Sequence, residues 1–321
     1  MRIVYCGSGA FGVPSLKWLI EQGYEVPLVV TQPARPAGRG RKEIATPIAE
    51  LARRELNLPR VESADINVPE MVNLIADLEP ELLLVIAFGQ KIGPELLSLS
   101  GCRAVNIHAS LLPKFRGAAP INWAIVRGET ITGLTLFELN PQWDAGAIWG
   151  TVETPIGADE TASELHDRLA LLGPQLLEKS LPRLNDPQAG GQSQDASQAT
   201  RAPKLKKIDG QVNWTRPAQE IHNQIRGFWS WPGAWTYLHQ PGQKPLRITL
   251  ARSTLWQADR SPSSPDKPGS IGPDGSVRCG NGHSVQILEV KPDNSKLMSF
   301  ADFLNGRRIQ PGDFFAADAS S

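Results

Sequence analysis

The strongest constraint on this chain's fold is an alternation in its first hundred or so residues. Short apolar runs at residues 2–6, 25–31, 82–88 and 104–108 are separated by longer stretches of helical character. Each run is too short for a helix and is bounded by turn residues. Such runs read as strands covered on both sides, and strands alternating with helices predict a mostly parallel sheet with helices on both faces. Helix starts are also legible. Thr46 precedes Pro47 as an N-cap precedes a first-turn proline. Thr161-Ala162-Ser163-Glu164 is a capping box that predicts a helix to about residue 184.

With 321 residues, the chain is long enough for two domains. Residues 185–203 turn to Asn, Asp, Gly, Gln, Ser and Pro, the composition of a linker. Beyond them, residues 246–251, 276–279 and 285–290 read as short strands between turn residues, interrupted by a loose stretch at 259–272. The expected division is an α/β domain over 1–190, a linker over 191–203 and a β-rich domain over 204–321. Net charge is zero but unevenly placed. Residues 1–203 hold 18 Lys/Arg against 23 Asp/Glu, and residues 204–321 hold 15 against 10. The basic second half hints at a polyanionic partner.

Cys6, Cys102 and Cys279 are few, odd in number and widely spaced, which argues against a disulfide framework or a zinc site and fits a reducing cytoplasm. No apolar run is long enough to span a membrane, and residues 2–6 enter a strand with no targeting segment ahead of them. The chain is therefore expected to be cytoplasmic.

Gly7-x-Gly9-x-x-Gly12 follows a strand and precedes a helix, as in dinucleotide-binding turns. The acid that would hold a ribose at the end of the second strand is missing: Thr31-Gln32 stands there. A 2′-phosphate on Arg35, Arg39 or Arg41 is the remaining nicotinamide reading. The stronger reading is that the glycines permit a tight turn and close packing.

The chemically informative stretch is Val105 to Pro113. Residues two apart on a strand share a face, so Asn106 and His108 point together at the strand's C-terminal end, where open α/β sheets bind ligands. Both can donate to an oxyanion formed when an amine attacks an acyl carbon. A carboxylate that orients or charges His108 is needed, and Asp144 is the candidate. The remaining histidines, 166, 222, 239 and 283, lack metal-ligand spacing.

The run from Asn106 through Ser110-Leu111-Leu112-Pro113 and Arg116-Gly117 to Ile121, with Asp144 downstream, resembles the signature of 10-formyltetrahydrofolate-dependent formyltransferases. The resemblance implies formyl transfer to an amine without a metal, with Asn106, His108 and Asp144 as the catalytic set. It also implies a folate pocket lined by Phe88, Gly89, Gln90 and Ile92 and by Ser110, Leu111, Leu112 and Pro113. The α/β domain is then Rossmann-like, and the C-terminal domain an OB-like barrel.

Residues 32–42 resemble the long loop of methionyl-tRNA formyltransferases, which reaches toward the tRNA acceptor end. Arg35, Arg39, Arg41 and Lys42 suit phosphate contacts. Residues 202–209, with Lys204, Lys206 and Lys207, and the aromatic run 225–235 are similar to the start of that family's tRNA-binding domain. Phe228, Trp229, Trp231 and Trp235 taken alone read as core aromatics. The implied partner is initiator methionyl-tRNA, and the implied state is a monomer. Asn122-Trp123 and residues 144–148 are also similar to sugar-nucleotide N-formyltransferases, which share the catalytic set and differ in the amine acceptor. Residues 139–143 depart from the usual run before the catalytic aspartate.

Overall fold

In a computed structural model, which describes residues 1–37, 42–256, 267–272, 274–310 and 312–318, the apolar runs of the first half align in one seven-stranded sheet. Its order is Ile148–Pro155, Ile131–Glu138, Arg103–His108, Leu82–Ile86, Arg2–Gly7, Glu25–Thr31, Arg60–Glu62. The last five strands in that order pair in parallel, and Ile131–Glu138 runs antiparallel to Arg103–His108. Read from Arg60–Glu62 inward, the parallel strands lie third, second, first, fourth and fifth by chain position. This is a doubly wound arrangement whose order reverses beside Arg2–Gly7. The sheet interior is apolar on both faces: Val4, Cys6, Leu83 and Val85 pack with Ile66, Ile75 and Phe88 in one buried cluster.

The chain divides into two compact units. One comprises Met1–Pro120, Thr132–Thr154 and His166–Ala202, and the other Ile121–Ile131, Pro155–Leu165 and Pro203–Ser321.

The glycine turn is structural. The Ser8 and Gly9 amides donate to the Ala87 carbonyl at 3.3 and 3.1 Å, so they are not turned toward a pyrophosphate as a dinucleotide site requires. Gly12 is fixed by packing, since a Cβ there would lie 2.1 Å from the Tyr5 hydroxyl. Thr46 caps the helix Pro47–Arg54 through the Ala49 amide, as its sequence predicts. The Thr161/Glu164 box also forms, with each side chain accepting from the other's backbone amide.

The single helix expected to residue 184 is two helices, Ala162–Ala170 and Gly173–Leu184. Pro174 is the reason. Without an N–H it cannot donate to the Ala170 carbonyl, so the second helix starts there, where the orphan position costs nothing. The basic loop is a β-hairpin, Arg35–Ala37 against Lys42–Ile44. Arg39 and Arg41 lie outside the described residues. Residues 192–202, of linker composition, are tied down at both ends: Gln192 bridges Ile148, and Arg201–Ala202 pairs in parallel with Arg116–Gly117.

In the second unit, Ser276–Arg278, Ser284–Pro292, Leu246–Leu255, Ala234–His239 and Phe314–Ala316 form an antiparallel sheet, with Met298–Ser299 on the flank of Ser284–Pro292. The helix Ala218–Phe228 buries Ala218, Ile221 and Ile225 in the same core as Leu250, Val290 and Phe315. This is the OB-like architecture expected of the region. The aromatic run divides. Phe228 is buried, Trp235 lies under the Arg247 guanidinium at 4.5 Å, and Trp231 is 55 % exposed, contrary to the expectation of a core residue. Trp231 follows the end of the helix and precedes Pro232, beyond the reach of the helix's buried face. Asn122 and Trp123 serve the architecture of this unit, donating to the carbonyls of Gly227 and Pro203, both at 2.8 Å.

His222, on the buried helix, accepts or donates at both ring nitrogens, to Ser253 Oγ and the Ala158 carbonyl at 3.0 Å each. Burial pushes it below the ordinary histidine range, assisted by Arg226 and opposed by the Ala158 bond and Asp159. Its neutral form is therefore the one the fold favours. That contribution is complete above the unfolded value of about 6.5 and is lost as pH falls below it. The urea midpoint is expected to be level between pH 7 and 8 and to drop by pH 5.5. In His222→Asn the drop should be smaller, and an equal drop would remove His222 as its source.

Candidate functional site

Strand Arg103–His108 ends where the sheet's parallel half meets its antiparallel edge, and it carries Asn106 and His108 two residues apart. His108 is 6 % exposed. Its Nε2 lies 2.9 Å from the Phe115 carbonyl, which can only accept, so Nε2 carries a hydrogen. Its Nδ1 faces Asp144 Oδ2 at 3.9 Å. Burial holds His108 below the ordinary histidine range, and the Asp144 charge and the Phe115 bond offset only part of that. The resting ring is thus neutral at pH 7, with a bare Nδ1 lone pair directed at the carboxylate. Of the two roles open to the carboxylate, orienting or charging the ring, a charged resting His108 is disfavoured because the desolvation outweighs the single carboxylate. Protonation at Nδ1 would create the ion pair.

Asp144 has φ +48°, a left-handed conformation that Asp tolerates better than most residues. Its Oδ2 accepts from the Gly117 amide at 2.8 Å. The segment following His108 therefore serves both partners: the Phe115 carbonyl fixes the ring, and the Gly117 amide fixes the carboxylate. Asn106 is half-buried, and its side-chain amide makes no hydrogen bond among the described residues. It is a donor held on the same strand as His108.

The residues expected to line a pocket differ in their roles. Phe88 and Ile92 are buried in the hydrophobic cluster beneath the sheet end. Gly89 is exposed with φ +78°. Gln90 is committed at both ends of its amide, accepting from Ile66 and donating to Ser63, both at 2.7 Å. Ser110 is buried and donates to the Lys114 carbonyl, closing the turn that carries Leu111, Leu112 and Pro113. Leu111 and Pro113 are half-buried, while Leu112 is buried.

Among the cations, Arg35 is exposed and bonded to Gln32, which in turn donates to the Phe88 carbonyl. Lys204, Lys206 and Lys207 are exposed on the approach to the second unit's first turn. Cys102 and Cys279 are raised by burial to about 11 and about 12, and burial raises Cys6 further. None is a thiolate nucleophile at neutral pH. No group of three or more potential metal ligands occurs among the described residues.

Two residues of this site escaped the sequence reading. Thr135, the cross-strand partner of His108, donates to the Ser110 carbonyl at 2.7 Å and accepts from the Leu112 amide at 3.1 Å, which anchors the turn. Its signal is weak, a threonine in a β-rich run. Gln194 donates to the carbonyls of Asp144 and Gly146 from a stretch of linker composition, which gave no signal.

A family model described as formyl transferase matches residues 1–181, and one described as formyl transferase, C-terminal domain matches residues 204–308. The methionyl-tRNA formyltransferase of Geobacter sulfurreducens is 41% identical over 97% of this chain and 96% of its own. That of Methylococcus capsulatus is 41% identical over 96% of this chain and 98% of its own. Among solved structures, WlaRD, a sugar 3N-formyl transferase, aligns with a TM-score of 0.64 at 17% identity, over 92% of this chain and 99% of that one. HypX from Aquifex aeolicus, in complex with tetrahydrofolic acid, aligns with a TM-score of 0.60 at 17% identity, over 99% of this chain and 51% of that one, about half its length. At such identity the two structures speak for the fold alone.

Proposed function

The chain belongs to the formyl transferase family, and we propose that it transfers the formyl group of 10-formyltetrahydrofolate to the α-amine of methionine carried on initiator tRNA. The observation that carries this reading is the bare His108 Nδ1 facing Asp144, with the Asn106 amide free on the same strand. The full-length relatives named for methionyl-tRNA favour tRNA over a sugar nucleotide as the acceptor, and Asn122 and Trp123, which suggested the sugar, are occupied in packing.

In this mechanism the neutral amine attacks the formyl carbon. The Asn106 amide donates to the developing oxyanion, a contact of a kind worth about 2.7–4 kcal/mol of barrier. The attacking nitrogen sheds one proton to His108 Nδ1, and Asp144 stabilises the imidazolium that forms. The proton then goes to N10 of the folate as the carbon–nitrogen bond breaks, giving the formylated amine and tetrahydrofolate. No covalent enzyme intermediate and no metal enters the balance. The folate lies against the 88–92 turn and residues 110–113, with Phe88, Ile92 and Leu112 supporting the pocket from the core. The protein acts as a cytoplasmic monomer. Among its described residues no helix is long and apolar enough to cross a membrane.

The test offers the folate donor with charged initiator tRNA and, in parallel, with a nucleotide-linked amino sugar. Formylated methionyl-tRNA is expected, and transfer to the sugar alone would overturn the reading. Arg35, Arg39, Arg41 and Lys42 of the basic 32–42 stretch, with Lys204, Lys206 and Lys207, are the proposed phosphate contacts. Arg41→Ala combined with Lys42→Ala should lower the slope of log Kd for tRNA against log salt by roughly one to two, with the folate KM unchanged. An unaltered slope would exclude the hairpin from the interface.

A further inference from the structure

The catalytic carboxylate is held by a side chain from the segment whose composition marks a linker. Gln194 Nε2 donates to the Asp144 carbonyl at 2.9 Å and to the Gly146 carbonyl at 2.8 Å. Its Oε1 accepts from Arg116 Nε at 3.1 Å and Nη2 at 2.6 Å. Both ends of the amide are thereby in use, and their sense is fixed. Carbonyls can only accept and a guanidinium can only donate, so the amide cannot turn over without losing all four bonds. We propose that Gln194 is a positioning residue for formyl transfer, clamping the 144–146 turn to the 115–117 segment so that the Asp144 carboxylate stays opposed to His108.

The argument is geometric. Asp144 sits in a left-handed conformation at φ +48°, and the two carbonyls that Gln194 binds bracket that residue's own C-terminal side. Arg116 lies between Phe115, whose carbonyl fixes the His108 ring, and Gly117, whose amide binds Asp144 Oδ2. Gln194 therefore ties the ring's support to the carboxylate's support through one planar group. Its own segment is anchored on either side. Gln192 and Ile148 exchange backbone bonds at 2.7 and 2.8 Å, the Arg116 amide donates to the Thr200 carbonyl at 2.8 Å, and the Thr200 hydroxyl accepts from the Phe115 amide at 2.9 Å. A clamp mounted this way holds its grip, whereas the same glutamine on an untied strand would not. The residue touches neither substrate nor the reacting atoms, and it acts through Asp144.

The proposal rests on the formyl-transfer reading for its kinetic test, and a second measurement separates the two. Gln194→Met keeps the volume and loses all four bonds. Gln194→Glu keeps an acceptor for Arg116 but presents an acceptor to two carbonyls. In both, kcat is expected to fall roughly 100-fold, the effect of an ångström-scale misplacement, with KM for folate and amine within about twofold. The rate is read as tetrahydrofolate release with whichever amine the wild type accepts. Near-normal kcat in either variant would overturn the clamp, because a packing role is satisfied by Met and an Arg116-anchoring role by Glu. Hydrogen exchange reads the same geometry without turnover. The Gly117 amide, protected by Asp144 in the wild type, should exchange faster in both variants. Unchanged protection would refute the clamp even if the reaction proved to be a different one, and lost protection with no formyl transfer in the wild type would retain the clamp and refute the function.

Discussion

Replacing His108 with alanine is expected to lower kcat by a factor of roughly 100 to 10,000, the range for losing a positioned acid–base group. Among the described residues the ring is the base opposed to Asp144 at the sheet end, and in the proposed mechanism it takes and returns the one proton the reaction moves. Its Nε2–H is spent on the Phe115 carbonyl, so Nδ1 must do both. Asp144→Asn should lose a comparable amount, since it leaves the imidazolium without its counter-charge, and the double variant should be little worse than either single one. Substrate KM values should change much less, because neither residue supplies the pocket wall. Burial already holds the resting ring neutral, so the acid limb of kcat/KM should reflect the amine of the acceptor, whose ordinary value lies near 7.7–8.0, about a unit or more above that of the histidine. A His108→Ala variant with kcat within threefold of the wild type would remove the ring from the mechanism.

Much of this is legible in the sequence. Strand periodicity put Asn106 and His108 on one face, and the sheet did so for the stated reason: side chains alternate, and the strand ends at the ligand-binding edge. The glycine turn was correctly separated from a nicotinamide site by the missing acid at Thr31-Gln32, and the structure adds the physical cause, that the Ser8 and Gly9 amides are already bonded to Ala87. Asp144 entered as the candidate carboxylate that His108 needs, and the resemblance placed it in the catalytic set, but no local pattern links two residues 36 positions apart. Gln194 was invisible for a related reason. Composition reports how a segment is solvated, while the value of this glutamine lies in four bonds to residues 48 to 78 positions away. The helix break at Gly173-Pro174 is written in the proline, whereas the capping box at 161–164 marks only where a helix starts.

Gly146→Ala should be nearly as damaging as losing a catalytic group, although it adds one carbon. A Cβ at residue 146 would lie 1.7 Å from the Glu138 carbonyl oxygen and 2.8 Å from its carbon, both backbone atoms at the end of the strand Ile131–Glu138. Rotamer changes cannot relieve that contact. Glu138 is also paired through its amide to the Ala147 carbonyl at 2.9 Å, so the two backbones must separate where they are hydrogen-bonded. The displacement needed is about 1 Å or more, and it falls two residues from Asp144 on the same turn. A shift of that size can cost around 100-fold in rate, and overpacking of this kind adds roughly 1–3 kcal/mol of destabilisation. The experiment pairs it with Gly306→Ala, where a Cβ meets no neighbouring atom within 4 Å and helical alanine is favoured. Measured well below the unfolding transition, Gly146→Ala should keep its far-UV circular dichroism, lose kcat and leave the Gly117 amide poorly protected from exchange, while Gly306→Ala should match the wild type in rate and equal or exceed it in stability. Full activity in Gly146→Ala would mean that the 144–146 turn can move without disturbing Asp144, and the close backbone approach would then have no part in holding the carboxylate.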